Sequence, residues 1–204
     1  MTDRPTDGTT DDAAARLAAH YLGDVVANLR RQKALAEGAL AQVADDALDR
    51  ALDPESNSLS VLVRHVAGNL RSRWTDFLTT DGEKPDRNRD GEFEPAPRTR
   101  AELLAEWEDG WRRMFDTLER LAPGDLARRV RLRGEELSVL EAIDRQLVHH
   151  SYHVGQIVFL AKHLRRGEWR SLSIPRRRPE SSTLPSGDHV ASGTTPGGGP
   201  RTAS

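Results

Sequence analysis

The chain has no cysteine among its 204 residues, which excludes a disulfide framework, a thiolate-held zinc or iron–sulfur centre and a cysteine nucleophile, and fits a reducing cytosol. Any metal must be held by imidazoles and carboxylates. An excess of charge is also missing: 30 Lys plus Arg face 32 Asp plus Glu, for a formal net charge of −2. That balance argues against nucleic acid as partner, because such affinity comes from a phosphate-neutralising basic surface. There is no long apolar run. The longest bulky one, Val154 to Ala161, is broken by Gly155 and Gln156 and falls far short of the ~20 residues that span a bilayer. Met1 to Asp12 is polar and lacks the apolar core of a signal peptide. A soluble cytoplasmic protein without a membrane partner is expected. The P-loop spacing, the glycine-rich dinucleotide fingerprint and G-x-S-x-G are absent as well, so nucleotide, NAD and α/β-hydrolase chemistry have no motif to rest on.

Apolar residues make up only 36% of the chain and cluster in its middle. Residues 1–12 and 180–204 are therefore expected to be disordered tails around one domain, 13–179. Four segments inside it carry helical spacing. The first runs from about Ala13 to Val43. The second follows the polar turn Asp53 to Ser58, which offers Asn57 and Ser58 as N-caps, and continues to Leu78. The third opens on the capping box Thr99 and Glu102 and is stopped by Pro123 and Gly124. The fourth opens on Ser138 and Glu141, with a stripe of Leu140, Ile143, Leu147, Val154, Ile157, Val158 and Ala161, and ends near Gly167. Trp74, Trp107 and Trp111 sit at helical positions, as core or dimer-interface residues. Between Thr79 and Arg98 the chain is too polar for a packed element and predicts a long loop, either functional or disordered, with a clamp of paired Asp and Arg as the plainer reading. Val130 to Gly134 alternates briefly, with no convincing strand pair. The fold class expected is all-α, a four-helix bundle with a long loop between helices 2 and 3.

Three of the seven histidines lie within five residues of the fourth helix. His149 and His153 are four apart, so both rings project from one helix face, the spacing that two ligands of one metal need. About a quarter of such a pair is expected at any one spacing by chance, so the spacing alone is weak. On a helical wheel the pair flanks the apolar stripe, and His65 lies on a polar strip of the second helix with Asn69, Ser72 and Asp76, from which it could face them. His150 falls against the apolar stripe as a core-edge residue, His163 points outward, and His20 and His189 have no partner in sequence. The position after His149 is His150, not the Glu of a zincin, and no Glu stands three residues before any histidine, as a di-iron bundle requires.

Asn57 to Leu70 with Ser72 to Asp90, and His149 to Ile157 with Trp169 to Pro175, strongly resemble a bacterial domain-of-unknown-function family of the DinB-like (DinB/YfiT) superfamily. The resemblance covers roughly 13–179. It implies a four-helix bundle, often a homodimer, in which three histidines hold a divalent metal, and it carries that role to His65, His149 and His153. Many members have Arg before Gly-Gln where this chain has Val154. Some relatives resemble thiol-dependent S-transferases, others metal-dependent hydrolases. The expectation is a divalent ion (zinc, nickel, iron or manganese) activating water or a low-molecular-weight thiol against a small-molecule substrate, in a pocket bounded by the 79–94 loop. Asp76 or Glu83 would orient a histidine or serve as base, and Arg73, Arg87 or Arg89 would bind an anionic group. The rival expectation is a non-catalytic bundle, metal-stabilised or metal-free, acting as an interaction or stress-response module.

Overall fold

The computed structural model describes residues 8–94 and 96–174. The chain divides into two units, Met1–Leu172 and Ser173–Ser204, and every described helix and strand belongs to the first. Four helices carry it: α1 Gly8–Leu40, α2 Leu59–Trp74, α3 Arg100–Leu118 and α4 Val139–Arg165. This is an all-α bundle in which α2 packs mainly on α3 and α1 on α4. No described helix is long and apolar enough to cross a membrane. Helix α1 starts at Gly8, inside the segment expected to be disordered, while the 180–204 tail lies outside the described residues.

The helix starts follow local chemistry. Ser58, Thr99 and Ser138 each accept a backbone N–H of their helix's first turn, and the last two are full capping boxes with Glu102 and Glu141, each cap contributing about 1 kcal/mol. The ends differ: α2 and α4 are followed by left-handed residues, Asp76 and Arg166, whereas α1 takes a tertiary partner. Helix α1 stops at Leu40 because Arg100 of α3 donates to the carbonyls of Leu40 (3.0 Å) and Val43 (2.5 Å), filling acceptors that a helix end leaves open. Helix α2 stops at Trp74, short of the expected Leu78, where Asp76 turns to φ 49°. The aromatic residues of α3, Trp107, Trp111 and Phe115, stack in succession and are buried in the core with Trp74.

Two features depart from the sequence reading. Residues 129–138 form an antiparallel hairpin, β1 Arg129–Leu132 and β2 Glu135–Ser138. Its two-residue turn, Arg133 (φ 56°) and Gly134 (φ 78°), is held because Asp81 accepts both of their N–H groups at 2.8 Å, the positive-φ geometry that a right-twisted hairpin favours. The short alternation alone was too weak to reveal it, since the support comes from a loop about fifty residues away. Secondly, the buried face of α4 holds Ile143, Val154, Ile157 and Ala161 of the expected stripe but also Val139, Gln146, His150 and His153, and it leaves Leu140 38% exposed. The wheel counted only apolar residues and so missed a core seam that includes polar groups with partners.

Candidate metal centre

His65 comes from the middle of α2, and His149 and His153 from successive turns of α4. The three rings meet: their centroids lie 4.6–5.3 Å apart, and each offers one nitrogen within 4.8 Å of the others. His65 Nε2 is 3.2 Å from His149 Nε2. Two nitrogens each about 2.0–2.1 Å from one tetrahedral ion stand about 3.3–3.4 Å apart. The spacing is therefore that of two ligands sharing an ion, and this buried three-histidine group could hold one.

The other ring nitrogens fix which lone pairs face inward. His65 Nδ1 lies 2.9 Å from Glu92 Oε2, so its N–H donates to the carboxylate and Nε2 keeps the lone pair. His153 Nδ1 donates in the same way to Gln156 Oε1 at 2.9 Å. His149 Nδ1 is buried with no partner among the described residues. Burial pushes the His149 ring down to about 2, helped by the repulsion that protonated His153 and His150 would add and by the charge of Arg73. Burial lowers His153 as well, against the bond it donates to Gln156. Neutral imidazoles are the form that binds a cation.

Residues 16–178 match the family model of the protein of unknown function DUF1572. The chain belongs to the DUF1572 family. No curated protein matches it.

In this DUF1572 chain the carboxylate beside the histidines is Glu92. Asp76 stands exposed beyond the end of α2, where its carbonyl accepts the N–H groups of Thr79 and Thr80 at 3.0 Å. Glu83 faces Arg87 at 3.4 Å and Arg133 at 3.2 Å. Neither Asp76 nor Glu83 bonds to a histidine among the described residues. Glu92 is buried in a short turn, Asp90–Glu92, that the long loop lays against α2. Arg87 grips it through Nε to Oε1 and Nη2 to Oε2, both 2.8 Å. Burial alone would raise the Glu92 carboxyl, but the bonds from His65 and Arg87 outweigh it and hold the group below its ordinary value. Arg64 donates to the carbonyls of Gly91 and Glu94, and Phe93 lies 4.8 Å from the His65 ring. The segment expected to be unpacked is thus a clamp whose product is one oriented carboxylate. Gly68 makes room for it: a Cβ there would overlap Glu92 Oε1.

Glu92 was not singled out from the sequence, although two features could have drawn attention to its neighbourhood. A glycine three positions after His65 in the interior of a helix costs about 1 kcal/mol against Ala and marks a close approach. Phe93 is the one aromatic in the polar loop, so its neighbourhood has to pack. Of the arginines, Arg87 is spent on Glu92 and Glu83, and Arg89 lies over Phe93 beside Asp90. His150 is fully buried in the core, with Nε2 2.7 Å from Gln146 Nε2 and its ring 4.7 Å from Trp111. His20 and His163 are exposed, and His189 lies outside the described residues. A cleft of about 760 Å³ runs along the loop, lined by Arg64, Gly68, Arg87 and Glu92 among others but by none of the three histidines.

Proposed function

We propose that this chain is a divalent-metal enzyme of the DinB-like superfamily, with His65, His149 and His153 as ligands and water or a low-molecular-weight thiol as the activated nucleophile. The observation that carries the reading is the convergence of three imidazoles with no carboxylate among them, two of whose tautomers are fixed by Glu92 and Gln156. A divalent ion held by three neutral imidazoles supplies Lewis acidity at its remaining position, lowering the pKa of a bound water or thiol. Glu92 keeps a proton on His65 Nδ1 and holds the ring in place, and Arg87 keeps Glu92 ionised. Phe93 shields one side of the His65 ring from water. Hydrolysis and thiol transfer differ in the nucleophile admitted, and both suit a small-molecule substrate.

A second copy of the chain is the partner in this reading. Val148, Tyr152 and Phe159 are each at least 64% exposed along the outer side of α4, an apolar line that water alone covers poorly.

The test is elemental analysis of protein purified without a histidine tag, beside the His153→Ala variant. About one equivalent of metal in the parent and its loss in the variant support the site. Full retention in the variant removes it. A screen of ester, amide and electrophilic substrates with and without a low-molecular-weight thiol should then show turnover that a chelator abolishes, and turnover indifferent to chelation would refute the metal-dependent reading.

A further inference from the structure

Arg73 is a cation without a counter-ion. It stands on α2 two turns beyond His65, and its side chain is largely withdrawn from solvent. Its Nη1 donates to a neutral amide, Gln146 Oε1, at 3.3 Å, and its Nε is buried with no partner. No carboxylate lies within 4 Å of it among the described residues. Its charged neighbours are mostly of its own sign: Arg145, Arg87 and Arg133, opposed by Glu83. The acids of this cluster are already engaged, Glu83 with Arg87 and Arg133, Glu92 with His65 and Arg87, and Glu135 with Arg145 at 3.0 Å. Each of these carboxylates has a partner, and in no case is it Arg73. Burial and the like charges make it a weaker base, down to about 10, so it remains a cation at neutral pH. Burying an unpaired cation is costly, and the cost is recovered when an anion arrives.

The guanidinium is also wired to the histidines. Gln146, which accepts from Arg73, donates to Asn69 Oδ1 at 3.0 Å and lies against His150, the neighbour of His149. The charge of Arg73 reaches both His149 and His150 and disfavours their protonation. We infer that Arg73 is a substrate-binding residue that takes the carboxylate of a small organic acid and holds it beside the three-histidine centre. Nη1 is already engaged, and the Nε edge of the planar fork is the one that pairs side by side with a carboxylate. A phosphate would use the same charge but not the same planar edge. The inference rests on the proposed metal centre for its meaning, because an anion held here matters to a reaction only if the histidines act on the same molecule.

The experiment is calorimetric titration of the zinc-loaded full-length protein with succinate, acetate and inorganic phosphate, repeated on Arg73→Gln, Arg73→Lys and Arg50→Gln. Arg50 is an exposed residue paired with Asp46 and controls for general charge. Saturable succinate binding that falls roughly tenfold or more in Arg73→Gln, falls less in Arg73→Lys and is unchanged in Arg50→Gln supports the assignment. Because Arg73→Lys keeps the charge in the same environment, it stays informative if Arg73→Gln folds poorly. Equal succinate affinity in the parent and both Arg73 variants overturns the proposal, as does phosphate binding without carboxylate binding. Metal content measured on the same samples separates the two ideas: loss of succinate affinity with zinc retained speaks to Arg73 alone, and an Arg73-dependent succinate site in protein that holds no zinc keeps the anion site while removing the metal reading.

Discussion

The carboxylate of Glu92 and the imidazole of His65 lie 2.9 Å apart, although 27 residues separate them in the chain. That contact decides which nitrogen of His65 faces His149 and His153, and a loop with little regular structure supplies it. The orientation of the candidate centre therefore depends on the clamp formed by Arg87, Arg64 and Phe93 as much as on the helices that carry the ligands.

Glu92→Gln keeps the shape of the side chain but removes its charge. Outer partners of this kind are typically worth about 10–100-fold in metal affinity, and we expect a loss in that range, read by competition of zinc with a chromophoric chelator. Unchanged affinity would mean that the carboxylate serves the loop and not the ring.

Gly68→Ala separates packing from helix propensity. In a helix interior Ala is better than Gly by about 1 kcal/mol, so an idle glycine would yield a more stable protein. Here the new Cβ overlaps Glu92 Oε1, and we expect zinc affinity to fall about as far as in Glu92→Gln, with no gain in thermal stability. A stabilised variant with full affinity would contradict the placement of Glu92.

The buried rings make the metal-free fold acid-sensitive. Burial holds His150 near 3 and His149 near 2, against an ordinary 6.5. As pH falls below about 6.5 the unfolded chain takes up protons that these rings refuse, so stability is greatest above that value and is lost progressively down to the depressed ones. By pH 5 the loss is on the order of 2 kcal/mol for each ring. Urea unfolding between pH 7.5 and 5 should show it, and His150→Gln, which cannot be protonated, should flatten part of the slope. A parent stability that is flat over that range would argue that the rings are not buried.

Bound metal should stabilise by mass action. At 100 times its dissociation constant, zinc adds about 2.7 kcal/mol of stability if it binds only the folded chain, and the melting temperature should rise accordingly in the parent and not in His65→Ala. An equal rise in both would place the ion elsewhere.

Asp81 ties the loop to the hairpin through the N–H groups of Glu83, Arg133 and Gly134, each at 2.8 Å. Asp81→Ala should cost about 1–2 kcal/mol and loosen both segments together, visible as faster amide exchange at Arg133, Gly134 and Glu83. Faster exchange in the hairpin alone would show that the two segments are not coupled through this residue.

The sequence by itself determined the four helices and the starts of three of them. Capping boxes at Thr99 and Ser138 and the cap at Ser58 act over three residues, helical periodicity over a dozen, and the His149–His153 spacing over one turn, so each is written in a short stretch of chain. Only the tertiary structure decided what meets what. His65 and His149 are 84 positions apart, Glu92 reaches His65 from an irregular loop, and Arg73 meets no carboxylate among the described residues. On paper Asp76 and Glu83 were the candidates, and Glu92 was not among them. Charge and residue type are local properties, whereas the partner of a charge is settled by packing between distant segments, and a polar loop without periodicity carries no sign of which of its acids will be turned inward.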